Sequence, residues 1–248
     1  MLDLLFTGNY KAAQNQIQMG SLCVYCGTAE GTTRDHVPPK NLFPKPRPSG
    51  LVTVRCCETC RRGQSLDDEY FTRMVAMRHD LTNHPAAAQV LETIHRSFTK
   101  PHKRGFTQAL LQSVKEFDLQ SKAGLYLGRA ASYDVDFERL CRVIERTTLG
   151  LYFNEFGVRL PDSHRCLVYA LDGFSPTDPT INANLKRLID HALSGKLRVF
   201  GDKVFTYWVQ QIEGVEGTTL WAHLVYSRVA FLAFTLLSTD LPAKLGAA

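Results

Sequence analysis

No stretch of this 248-residue chain approaches the roughly 18 consecutive apolar residues of a membrane-spanning helix, which excludes an integral helical membrane protein. The N-terminus, MLDLLFTGNYKAAQNQIQMGS, lacks a basic region followed by a continuous apolar core, so it does not read as a secretory signal. The expected location is the cytoplasm, with no membrane partner. Internal repeats and low-complexity tracts are also missing, which argues against solenoids and disordered linkers. Acid is in modest deficit, with 24 Asp and Glu against 29 Lys and Arg, a net charge of +5. That balance permits a nucleic-acid partner without requiring one.

What is present is enough for a folded core, because 44% of the residues are hydrophobic. In a reducing compartment the seven cysteines are expected to be metal ligands or buried thiols rather than disulfides. Residues 1–22 look like an extension that begins with a short amphipathic helix (Leu2, Leu4, Leu5, Phe6). Residues 23–80 are rich in Cys, Pro, Gly and Arg up to about residue 64. Short strands are expected at Thr32–His36 and Leu51–Val54. Between them PPKNLFPKPRPSG carries five prolines and should form a stiff, irregular loop.

Ser65-Leu66-Asp67-Asp68 matches a capping box, with acids placed to stabilise a helix N-terminus. Leu66, Tyr70, Met74 and Met77 follow at helical spacing, and the helix should stop before Asn83-His84-Pro85. Further helices are expected at Ala86–Ser97, Gly105–Leu119, Asp134–Phe156 and Ile181–Leu193, with Gly157 ending the third of these. Strand-like runs are Ala123–Leu127, Cys166–Leu171, Leu197–Gln211, Thr218–Tyr226 and Val229–Leu237, the last three suggesting an antiparallel meander. The fold class is therefore α+β, with residues 81–248 forming an α+β domain of unassigned role. Its histidines are scattered without ligand spacing, and Tyr207, Trp208, Trp221 and Tyr226 should pack its sheet.

Cys23-x-x-Cys26 and Cys57-x-x-Cys60 are the most specific signal. A two-residue spacer lets both thiolates of a knuckle face one tetrahedral zinc, and two such knuckles complete a closed structural site. Cys56 adjoins the second pair but breaks its spacing, so it is expected to point elsewhere. Cys141 and Cys166 fall in apolar periodic stretches and read as core thiols. A four-cysteine site supplies folding energy that a short, proline-rich segment cannot obtain from its own core.

Asp35-His36, on the first strand between the two knuckles, needs a different explanation. CVYCGTAEGTTRDHVPP, then LVTVRCCETC, then SLDDEYF, resembles HNH endonucleases of the ββα-metal type, in the bacterial and phage branch with two zinc knuckles. GLYFNEFGVRLP resembles a later segment of uncharacterised proteins of that branch. The resemblance implies a zinc-stabilised ββα-metal domain over 23–80 and a metal-dependent endonuclease hydrolysing DNA phosphodiester bonds. It makes His36 the general base that deprotonates water and Asp35 the ligand of a catalytic Mg²⁺ or Mn²⁺.

Two family positions differ. Gly50 stands where an Asn usually holds the catalytic loop, and Arg61 stands where an Asn or His usually completes the metal site. Either Gln64, Asp67 or Asp68 reaches the ion, or Arg61 replaces its charge, or the scaffold is a catalytically inactive nucleic-acid-binding or interaction protein. The expected partner is nucleic acid, specifically double-stranded DNA. Arg34, Lys40, Lys45, Arg47, Arg55 and Arg62 are the candidate phosphate contacts, since a basic cluster around a cleaving pair is what such a site needs.

Overall fold

The computed structural model describes residues 21–98, 104–121, 123–171 and 179–240. The expected helix at Leu2–Phe6 lies outside these residues. No helix among the described residues is long and apolar enough to cross a membrane.

Among the described residues the first regular elements are an antiparallel hairpin, β1 (Thr33–Val37) and β2 (Val52–Cys56), and helix α1 (Glu58–Ala76). Helices α2 (Pro85–Phe98) and α3 (Arg104–Ser113) come next, then a second hairpin, β3 (Lys115–Gln120) and β4 (Tyr126–Ser132). Helix α4 (Phe137–Phe156) leads to β5 (His164–Ala170), and α5 (Pro179–Leu193) precedes β6 (Lys196–Phe200), β7 (Phe205–Gln211), β8 (Thr219–Val225) and β9 (Val229–Leu237). The last five strands form one antiparallel sheet in the order β5-β9-β8-β7-β6. The fold is α+β, and the meander extends to four consecutive strands.

The sheet is covered on both faces, as the alternation of its side chains requires. On one face Tyr207, Trp221 and Phe231 join a core with Leu140, Val143, Ile144 and Leu151 of α4. On the other, Leu220, Ala222 and Leu232 pack with Leu185, Ile189 and Ala192 of α5. The first core continues into Val37, Val54, Phe71 and Met74, so α4 lies between the large sheet and the β1–β2–α1 unit. The proline-rich loop is tied to the sheet by Tyr226, whose hydroxyl donates to the Leu42 carbonyl at 2.6 Å.

Four elements differ from the sequence expectation, one of them the strand expected at Ala123–Leu127, which lies instead at Tyr126–Ser132. Helix α1 starts at Glu58 rather than at Ser65, because Cys57 is its N-cap and accepts the Cys60 N–H on its sulfur at 3.4 Å. The second cysteine pair thus doubles as a helix start, and Asp67 and Asp68 lie inside the helix instead of capping it. The helix expected over Gly105–Leu119 ends at Ser113, and the rest is strand β3. Phe117 and Leu119 alternate with charged residues there, which is strand periodicity. The run Leu197–Gln211 is two strands, parted by a turn with positive φ at Gly201, Asp202 and Lys203.

Candidate functional site

Cys23 and Cys26 lie on the turn before β1, and Cys57 and Cys60 lie at the start of α1. Their four Sγ atoms fall within 4.8 Å of one another, the arrangement a tetrahedral metal ion needs. Cys56 is absent from this group. Its fully buried sulfur sits 3.1 Å from the Thr33 hydroxyl. Hydrogen bonds from the Thr28 hydroxyl and from the backbone N–H groups of Ala29 and Thr28 hold the Cys26 thiol down to about pKa 6. Burial pushes Cys60 up in the absence of an ion, and a bound cation reverses such a rise.

The first knuckle is also held from a distance. Arg159, just past α4, lies against Gly27 and donates from Nη2 to the Cys26 carbonyl at 3.4 Å. Gly27 has φ +67, a conformation that favours glycine, and a Cβ there would come within 2.3 Å of the Arg159 guanidinium and displace it. This contact lies in the segment GLYFNEFGVRLP and joins it to the knuckle.

The β1–β2 register sorts the remaining residues onto two faces. Arg34 pairs with Arg55 and His36 with Thr53, while Asp35 pairs with Val54 and Val37 with Val52. Since side chains alternate, Arg34, His36, Thr53 and Arg55 share the outer face, and Asp35 and Val37 share the inner one. Two like charges directly opposite each other are unfavourable without a counter-charge. The exposed pair Arg34–Arg55 is therefore a site where an anion would be stabilising.

His36 belongs to this cationic face. Burial pushes its pKa below the ordinary imidazole value, and the charges of Lys40 and Arg47 push the same way against Asp35. The neutral ring is therefore the main form near pH 7, and it can accept a proton. Arg47 is oriented by its Nε–H, which donates to the Lys40 carbonyl at 3.0 Å. Lys45 is exposed on the same loop. Arg61 and Arg62 stand apart from this group in their bonding, both reaching Glu58 at 3.8 and 3.9 Å on the exposed first turn of α1. Gly50 is in open space, with nothing near the position of a Cβ.

Asp35 points the other way, into the protein. Its Oδ2 accepts from the Tyr25 hydroxyl at 2.7 Å and its Oδ1 from the His36 backbone N–H at 3.0 Å. Arg146 of α4 brings Nε to 3.3 Å from the same Oδ2 and donates from Nη2 to Asp68 of α1. Burial pushes the Asp68 carboxyl up to about 6, opposed by the Arg146 charge. Asp67, one residue earlier, is held below the ordinary carboxylate range against its burial by Arg139 and Arg142. The Gln64 Oε1 is buried and without a hydrogen-bond partner.

A catalytic Mg²⁺ or Mn²⁺ at Asp35 does not fit this arrangement. Among the described residues, the four cysteines are the only group of three or more His, Cys, Asp or Glu ligands gathered closely enough for an ion. Asp35 already meets a cation, and that cation is Arg146 rather than Arg61. A sequence signal for Arg146 existed, because it interrupts the neutral stripe Leu140, Val143, Thr147, Gly150 of α4.

No family model, no curated protein and no solved structure matches the chain.

Proposed function

We propose that the protein is an HNH-type endonuclease that hydrolyses DNA phosphodiester bonds, with His36 as general base and a structural zinc held by Cys23, Cys26, Cys57 and Cys60. The observation that carries this reading is the outer face of the first hairpin. There an imidazole kept neutral sits among Arg34, Lys40, Arg47 and Arg55. Duplex DNA presents closely spaced phosphates, and such cations hold them with little regard to sequence. Water attacking phosphorus gives its proton to His36, the phosphorus–oxygen bond to the leaving strand breaks, and the neighbouring cations offset charge on the departing oxygen. The zinc, once bound, supplies the folding energy that fixes the strand carrying His36. No step is assigned to a catalytic divalent ion, since Asp35 is already engaged by Arg146.

That same engagement, together with Gly50 and Arg61 at the usual Asn positions, favours a second reading, a catalytically inactive nucleic-acid-binding protein on the same scaffold. The deciding experiment is incubation of supercoiled plasmid with the zinc-loaded full chain, with Mg²⁺, with Mn²⁺ and with chelator. Slow nicking supports the nuclease. Salt-dependent DNA binding without nicking supports the inactive scaffold, and neither activity would remove both readings.

A further inference from the structure

Arg146 has no role in either reading so far. Its guanidinium comes from α4, a helix that follows the first hairpin by some eighty residues of sequence, yet it ends between a strand carboxylate and a helix carboxylate. The Arg146 side chain is 7% exposed, and those of Asp35 and Asp68 are 16% and 15% exposed. Asp35 spends its remaining lone pairs on Tyr25 and on the His36 N–H. The arrangement is incomplete at one point: Arg146 Nε is near Asp35 but misaligned, which leaves that buried N–H without a hydrogen bond. Well-formed structural ion pairs satisfy their buried donors.

We infer that Arg146 is the resident cation of the Asp35–Asp68 pair, standing in the protein where a divalent ion would otherwise be held, and that it is a positioning residue for the strand bearing His36. It acts through Asp35: the guanidinium holds the Asp35 carboxylate, and Asp35 in turn accepts the N–H of His36 and fixes the strand end. A fixed guanidinium cannot be removed by a chelator and cannot be lost by deprotonation. Two half-buried carboxylates without it would repel each other unless another cation or a proton intervened. Helix α4 is placed to deliver it, since Gly150, one turn on from Arg146, packs directly against Val37 on the same inner face as Asp35. The inference rests on reading His36 as the reacting group, but its test does not depend on cleavage.

The test is Mn²⁺ binding to zinc-loaded protein, followed by electron paramagnetic resonance of the free ion. Wild type should bind Mn²⁺ no better than an Asp35→Asn control. Arg146→Met keeps the length and removes the charge, and it should bind at least about tenfold more tightly, a gain that Asp35→Asn or Asp68→Asn abolishes. Arg146→Lys restores a charge and should return to the wild-type level. Equal Mn²⁺ affinity in folded wild type and Arg146→Met would overturn the inference. If Arg146→Met loses its zinc and fails to fold, the wild-type measurement still decides: tight Mn²⁺ binding lost in Asp35→Asn overturns the inference, and its absence upholds it. A protein that nicks no plasmid yet shows the Arg146→Met gain would refute the nuclease reading alone.

Discussion

Gly150→Ala tests how α4 is seated against the hairpin. In an ordinary exposed helix this change is stabilising by about 1 kcal/mol, because alanine loses less backbone entropy. Here the new Cβ would stand 2.6 Å from Val37 Cγ1 and 3.1 Å from Cγ2. Val37 is fully buried, and its branched side chain cannot rotate away. Overpacking of this kind costs roughly 1–3 kcal/mol, so the clash should outweigh the propensity gain and leave a net loss of about 1 kcal/mol. For a chain of this size that lowers Tm by about 2–4 °C. Removing the obstacle should reverse the sign, so in a double-mutant cycle with Val37→Ala the two changes should cost less together than their sum, by about 1 kcal/mol or more. Thermal and urea unfolding of the four proteins measure this. Additive effects, or a Gly150→Ala protein more stable than wild type, would refute the close approach of α4 to β1.

Metal analysis should find about one zinc per chain, as one four-thiolate site requires. Cys57→Ser should lose it and aggregate, while Cys56→Ser should keep it, since the Cys56 sulfur faces Thr33; equal zinc loss in both would contradict the register. His223 is fully buried, hydrogen-bonds to Thr148 at 2.9 Å, and burial lowers its pKa from 6.5 to about 3. The unfolded chain therefore binds this proton first. The stability His223 contributes is complete above pH 6.5 and is lost as pH falls toward about 3, at up to about 1.4 kcal/mol per pH unit. His223→Gln should flatten that acid limb in unfolding experiments between these limits, and an unchanged limb would mean that another group dominates. Arg47→Ala should weaken duplex binding alike for all sequences and reduce its salt dependence, by about one unit of slope; a sequence-selective loss would argue against a phosphate contact.

The legible parts of this protein were those fixed by local pattern. Val229–Leu237 reads as a strand because its apolar residues are continuous between turns, and α4 reads as a helix up to Gly157 because a left-handed glycine ends it. The four-cysteine cluster follows from spacing alone, and Cys56 stands outside it with its sulfur against Thr33. Less legible was whatever depends on partners distant in sequence. A capping box at Ser65 was overridden because Cys57 starts the helix earlier. Asp67 and Asp68 looked like first-turn acids, yet each meets an arginine of α4. The same holds for Asp35: the resemblance made it the ligand of a catalytic ion, whereas its carboxylate meets Arg146 of α4. Arg61 had the right position in the chain for a replacement cation, but the contact belongs to Arg146, which is identifiable only once α4 is packed on the hairpin.

The central claim is that His36 removes a proton from water on the cationic face of the first hairpin. The most direct measurement is plasmid nicking by His36→Gly, with and without added imidazole. The account predicts that the variant is inactive although its zinc content and DNA binding are unchanged. Imidazole diffusing into the space left by the side chain should then restore nicking, with a pH dependence that follows the added base. Wild-type nicking that persists undiminished in His36→Gly, or an inactive variant that imidazole cannot restore while it still binds DNA, would contradict it.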